Sequence, residues 1–190
     1  MAAPEVPFIA RQKLIEIGKQ HHLFCSASFT SEEMQEALNS RVLQNIDLIA
    51  MNIDEASAIS GNSSSTNTGL IVQKSVQKLL NYNSKIMVSI TAGKLGSWVW
   101  DGLKLTNFPV VKTQALSTAG AGDAFFSGLL CGIALGLSMS EAQQLATLIA
   151  GMSVQSPHTI HKGINRSSLS EFLTTSELSF SEKIIKLLED

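Results

Sequence analysis

Gly120-Ala121-Gly122-Asp123 is the stretch of this chain whose residue types and spacing are suited to chemistry. Gly120 and Gly122 let the backbone turn tightly and expose successive amide N–H groups. The apolar run that follows, through Ala124, Phe125 and Gly128, has helical spacing. A helix starting here adds the positive end of its dipole to those amides, and the combination holds an anion. An acid at this place repels an anion, so Asp123 reads as a working group: a base that takes a proton from a nucleophile attacking a phosphate. The plainer reading is that Asp123 stabilises its own helix through the dipole, by about 0.3–1 kcal/mol. Two other phosphate motifs fail on spacing. A dinucleotide fingerprint needs Gly where Phe125 stands, and Gly122 is not followed by the Lys-Ser/Thr of a Walker loop.

Two further stretches could contribute polar groups. Asn52-Ile53-Asp54-Glu55 follows the apolar run Asp47–Met51, which reads as a strand buried on both faces. Asn52 and Glu55 have the spacing of a capping box, and they also stand at the carboxyl end of a parallel strand, where α/β enzymes bind ligands. Thr91-Ala92-Gly93-Lys94-Leu95-Gly96 follows another buried run, Lys85–Ile90, and reads by itself as a glycine turn between strands. His158 and His161 lack a third ligand nearby and read as exposed loop residues.

Ser117-Thr118-Ala119-Gly120-Ala121-Gly122-Asp123-Ala124-Phe125 resembles the D-T-x-G-A-G-D-x-F signature of the PfkB/ribokinase family of carbohydrate and nucleoside kinases. Ser117 stands where that pattern has its first Asp. The resemblance implies that the amides of Gly120, Ala121 and Gly122 form an anion hole for the transferring phosphoryl group, and that Asp123 deprotonates the substrate hydroxyl. It implies a place for Asn52 and Glu55 in the family's N-x-x-E motif, linked to magnesium and phosphate, with Glu55 toward the metal. Thr91, Gly93 and Gly96 match its T-x-G-x-x-G stretch beside the nucleotide phosphates, with Lys94 within reach of them. Thr147 and Ala150, on the second helix after the signature, are implied neighbours of the adenine. ATP and Mg2+ are the implied cofactors and a sugar or nucleoside the implied substrate.

The elements that must position these groups alternate along the chain. Helices are expected from Pro7 to Gly18, after a Thr30/Glu33 capping box, from Leu70 to Leu80, from Asp123 to Gly136, and after the boxes Ser138/Glu141, Ser168/Glu171 and Ser179/Glu182. Strands are expected at Leu23–Cys25, Asp47–Met51, Lys85–Ile90 and Ser97–Trp100, the last closing a hairpin at Asp101-Gly102. Trp98 and Trp100 read as packing residues, and Ser60 to Gly69 as a surface loop. Ala124, Gly128 and Gly132 form a stripe of small residues that permits close helix packing. Strand-helix-strand order with short connections argues for a parallel sheet, and the resemblance implies an α/β fold: a ribokinase-like three-layer αβα sandwich with a mostly parallel sheet.

Residues 1–190 are expected to form a single, partial kinase domain holding the nucleotide-binding part, with the family's N-terminal strands and lid missing. A homodimer, or pairing with that missing N-terminal segment, is the corresponding expectation for partners. A net charge of −2 with mixed signs gives no footprint for nucleic acid or an anionic membrane. No apolar run reaches spanning length, no signal-peptide pattern opens the chain, and Cys25 and Cys131 read as small core residues of a reducing compartment. The expected location is cytoplasmic. Two alternatives remain open: a catalytically silent nucleotide-binding or interaction module with an exposed sheet edge, and a Rossmann-like oxidoreductase, against which the missing third glycine counts.

Overall fold

The computed structural model describes residues 6–61 and 67–189, so part of the expected Ser60–Gly69 loop and the first residues of the chain lie outside it. In chain order the elements are α1 (Phe8–Gln20), β1 (Ser26–Ala27), α2 (Met34–Asn39), β2 (Leu48–Asn52), α3 (Ile53–Ser60), α4 (Thr68–Tyr82) and β3 (Met87–Thr91). They continue with β4 (Ser97–Trp100), β5 (Leu105–Phe108), α5 (Ala121–Ala134), α6 (Met139–Ser153), α7 (Arg166–Thr174) and α8 (Glu182–Glu189). The strands follow the order β1-β2-β3-β4-β5 in one sheet, with β1, β2 and β3 parallel to one another. This is the expected α/β architecture. The chain divides into two compact units, Met1–Ala92 with Trp98–Leu105 and Gly93–Ser97 with Thr106–Asp190.

In the first unit, β2 is buried and apolar on both faces, with Leu48 and Ala50 on one and Ile49 and Met51 on the other, while β3 buries Val88 and Ile90 on one face and Ser89 on the other. Met34, Ala37, Leu38 and Val42 point into the same core, as their spacing predicts. Trp98 and Trp100 pack against it, as expected. Asp101 Oδ1 accepts from the amides of Leu103 and Lys104 and closes the β4–β5 hairpin at the expected turn.

Three expectations shift. Gly18 does not end α1, which runs on to Gln20; a Cβ there would lie 2.8 Å from Cys25 Sγ, so Gly18 serves a close approach. The first strand is Ser26–Ala27 rather than Leu23–Cys25. The chain turns through His22 at φ 56°, and the Cys25 carbonyl, which accepts from Asp47 and Leu48, is where pairing to the next strand starts. Leu23 and Phe24 stay exposed. Arg11, which helical spacing alone does not mark as core, is wholly buried: it donates to the carbonyls of Val6 and Ser28, pairs with Glu33, and lies between the Phe8 and Phe29 rings.

In the second unit, α5 and α6 pack closely along the small-residue stripe. A Cβ on Gly128 would lie 3.0 Å from Ala146 Cα, and one on Gly132 would lie 2.8 Å from both Cα and Cβ of Ala142. Ser138 and Glu141 form the expected capping box of α6. The box of α7 is Asn165 with Ser168, one turn ahead of the expected Ser168/Glu171, and α8 is preceded by Ser181, whose hydroxyl accepts from Ile184 N–H, not by Ser179. In both helices the observed cap stands three or four residues ahead of the first buried apolar residue, Ile184 or Leu169, so that residue falls in the first turn. Cys131 is exposed rather than core, because it lies off the buried stripe of Phe125, Gly128, Leu129 and Gly132 on α5.

Gly132→Ala should lower stability by about 1–3 kcal/mol through overpacking, despite a gain in helix propensity of about 1 kcal/mol. Cys131→Ala on the exposed face of the same helix should stay within about 0.5 kcal/mol. Urea denaturation midpoints of the two variants decide the comparison.

Candidate functional site

In the first unit the parallel register pairs Asn52 with Thr91, so the carboxyl ends of β2 and β3 bring these two residues side by side. Asn52 caps α3: its Oδ1 accepts from the amides of Asp54 and Glu55, both at 2.9 Å. Glu55 Oε2 accepts in return from Asn52 N–H at 2.7 Å. The capping box is therefore real, and it is also what aims Glu55. Asn52 is exposed and Glu55 half-buried. Burial raises the Glu55 pKa; the hydrogen bond from Asn52 N–H lowers it and the charge of Asp54 raises it, leaving the carboxyl above its usual range. Asn52 thus stands beside Thr91 across the sheet and holds Glu55 at the start of α3.

In the second unit, Gly93–Leu95 forms a single 3-10 turn, with Gly93 at φ 53° and Gly96 at φ 87°. A Cβ on Gly96 would lie 2.2 Å from the carbonyl oxygen of Phe108, so only glycine fits there. Lys94 is exposed and has no hydrogen-bond or ion-pair partner among the described residues. The signature stretch occupies another loop. Gly120 caps α5 in the left-handed region at φ 78°, and a Cβ on it would lie 2.4 Å from the carbonyl oxygen of Thr159. Ala121 N–H donates to Thr118 O and Ala124 N–H to Gly120 O. The amides of Gly122 and Asp123 meet no acceptor among the described residues. A Cβ on Gly122 would meet open space, and the Asp123 carboxylate is exposed with no partner among the described residues. Two unspent amides at the positive end of a 14-residue helix, with a carboxylate beside them, are equipped to receive an anion and a proton.

Thr147 is buried in α6 and its hydroxyl donates to Gln143 O at 2.9 Å. It lines a small pocket of about 80 Å³ with Phe108, Pro109, Gln144, Leu178 and Phe180. Ala150 lies one turn further along α6, half-exposed and outside that lining. Sequence reasoning missed Thr159, whose carbonyl backs Gly120, and Gln155, which ties the same segment to Thr113. Neither belongs to a motif; Pro157, which stops α6 from continuing, is the one local sign that this stretch is a loop. No group of three His, Cys, Asp or Glu able to hold a metal ion occurs among the described residues, and His161 instead accepts from Gly163 N–H.

A model of the pfkB carbohydrate kinase family matches residues 3–165. Fructoselysine 6-kinase of Shigella flexneri is 34% identical over 68 residues, which is 36% of this chain and 26% of that protein. ATP-dependent 6-phosphofructokinase of Thermoanaerobacterium thermosaccharolyticum is 25% identical over 114 residues, 60% of this chain and 33% of that protein. The crystal structure of ribokinase from Thermotoga maritima superposes with a TM-score of 0.71 at 22% identity, covering 91% of this chain and 55% of that one. A putative sugar kinase from Clostridium perfringens gives a TM-score of 0.75 at 17% identity, covering 92% and 55%. These likenesses establish a ribokinase-like fold. The chain spans about half the length of the structures it matches, and its matches span a third or less of these curated relatives.

Because its carboxyl is raised, folded Glu55 holds its proton more tightly than the unfolded chain does. Its contribution to stability is present below the unfolded value of about 4.3 and is lost as pH rises through the folded value. Glu55→Gln keeps an oxygen for Asn52 N–H and removes that loss. Its stability relative to the unmodified chain should climb between about pH 4 and the folded pKa and then level off. Urea denaturation at several pH values checks this, and a pH-independent difference would contradict it.

Proposed function

Because this chain belongs to the pfkB family of carbohydrate kinases, we propose that it carries the phosphoryl-transfer part of a sugar or nucleoside kinase, with ATP as donor and Mg2+ as its cation. The single observation that carries this reading is the amino end of α5, where, among the described residues, the Gly122 and Asp123 amides lack acceptors and the Asp123 carboxylate lacks a partner. In the proposed reaction Asp123 takes the proton of an alcohol, the alcohol oxygen bonds to the γ-phosphorus of ATP, and the bond to the β,γ-bridging oxygen breaks to release ADP. The amides of Gly120 and Gly122 stabilise the negative charge on the phosphoryl oxygens as it develops, whereas the Ala121 amide is already given to Thr118 O. Phosphate groups of the nucleotide fall to the Thr91–Gly96 stretch with Lys94, and Thr147 and Ala150 lie toward the base.

Glu55 suits the cation this reading needs. It is a half-buried carboxylate with one oxygen on Asn52 N–H and the other without a hydrogen-bond partner among the described residues. Mg2+ is commonly bound through one or two carboxylates, water and substrate phosphates, so a single protein ligand is enough. The ion would supply charge neutralisation on the phosphates. The names of the relatives, fructoselysine 6-kinase, 6-phosphofructokinase and ribokinase, support a sugar-type acceptor. No described helix is long and apolar enough to cross a membrane, and the net charge of −2 gives nucleic acid no binding stripe. A cytoplasmic location belongs to the same proposal.

A second reading keeps the anion-binding helix end without the chemistry: a silent nucleotide-binding module acting through a homodimer or through a partner segment.

ADP release over a panel of sugars and nucleosides separates the two. The kinase reading expects turnover with at least one acceptor and a loss of about 10²–10⁴-fold in kcat for Asp123→Asn. Turnover that survives Asp123→Asn contradicts the assigned base. ATP binding with no ADP release from any acceptor favours the silent module.

A further inference from the structure

The loop that presents the signature amides has little structure of its own. Residues 112–120 form neither helix nor strand, and the local bonds near their end are Ala119 N–H to Ser117 Oγ at 3.3 Å and Ala121 N–H to Thr118 O at 3.2 Å. Such a loop needs an external frame to hold its amides in one direction. The segment following α6 supplies it at three heights. Gln155 Nε2 donates to Thr113 Oγ1 at 2.6 Å in partly buried surroundings. Val154 O, at the carboxyl end of α6, accepts from both Leu116 N–H and Ser117 N–H, at 2.8 and 3.2 Å. Thr159 O closes on Gly120 so tightly that a Cβ there would lie 2.4 Å away.

The three ties differ in what they can do. The Val154 and Thr159 contacts are made by main-chain carbonyls, which the fold provides whatever the side chain is. The Gln155 contact is made by a side chain and joins positions 42 residues apart. It is made by the residue next to the one whose carbonyl receives Leu116 and Ser117.

We propose that Gln155 is a positioning residue for the Gly120–Asp123 loop, acting through Thr113 and the main chain of residues 154–159. The inference rests on the reading of that loop as the phosphoryl site. A lost tie lets the loop slide, and a displacement on the order of 1 Å at a reacting centre costs up to about 10²-fold in rate. Ground-state nucleotide binding draws on other groups, so kcat falls while KM for ATP holds.

Gln155→Leu and Thr113→Val each remove the tie, whereas Gln155→Glu retains it because the Thr113 hydroxyl can donate to the carboxylate. Two readouts are used on the full chain. Amide hydrogen exchange at Leu116 and Ser117, with the amide resonances of Gly120 and Gly122, reports the loop without any turnover. Steady-state ADP release reports its consequence. The proposal expects exchange at least about tenfold faster and displaced glycine resonances in both loss variants. It also expects kcat down about tenfold or more at unchanged KM, and restoration of both readouts by Gln155→Glu. Unchanged exchange and resonances overturn it, as does faster exchange with an unaltered kcat. If the unmodified chain releases no ADP, the kinase reading fails by that result, and the exchange and resonance arm alone still decides whether Gln155 sets the loop.

Discussion

Two negative groups are asked to share one positive helix end, and the amino terminus of α5 is built around that demand. A helix of this length offers about half a unit charge at its start. Asp123 takes some of that field for itself, in its first turn, and yet leaves the Gly122 and Asp123 amides unspent. A helix needing only a cap would use a side chain at the cap position, as Asn52 does for α3 and Ser138 does for α6. Here the cap is Gly120 in the left-handed region, which has no side chain to occupy the amides. The missing cap is a local cost in stability, and it is the feature that a bound anion would repair.

The second unit is arranged so that this helix end stays fixed in direction. Gly128 and Gly132 let the backbone of α6 come up against α5. The carboxyl end of α6 then uses the Val154 carbonyl to hold Leu116 and Ser117 on the way into the loop. Helix ends leave such carbonyls without intrahelical partners, so the loop and the helix each complete the other's hydrogen bonding. The same economy operates in the first unit, where one pair of residues both starts α3 and presents a half-buried carboxylate at the carboxyl edge of the sheet. Capping and ligand binding are often treated as competing explanations for an Asn-x-x-Glu pattern. At Asn52 and Glu55 the cap geometry is present, and it is what leaves one carboxylate oxygen uncommitted.

Much of this could be read from the sequence because the relevant signals are local. The apolar runs at Asp47–Met51 and Lys85–Ile90 fall within a residue or two of β2 and β3, since a strand covered on both faces needs an unbroken apolar run. The small-residue stripe on α5, the Asp101-Gly102 turn and the capping boxes at Asn52 and Ser138 are each set by a few neighbouring side chains. What local reading missed depends on contacts distant in the chain. Gly18 looks like a helix end until Cys25 packs on it, and Arg11 looks like a surface residue until Glu33, Ser28 and two rings close around it. Thr159 and Gln155 follow the same rule. Their part in the site comes from touching Gly120 and Thr113, some forty residues earlier, which no spacing within their own segment reveals.

The proposed chemistry depends on the amides of Gly122 and Asp123, unspent among the described residues. Titrating the 15N-labelled protein with Mg2+ and a non-hydrolysable β,γ-imido analogue of ATP tests them directly. The amide resonances of Gly122 and Asp123 should move together and saturate along one binding curve. Binding that leaves both resonances where they were, while other amides shift, would contradict it.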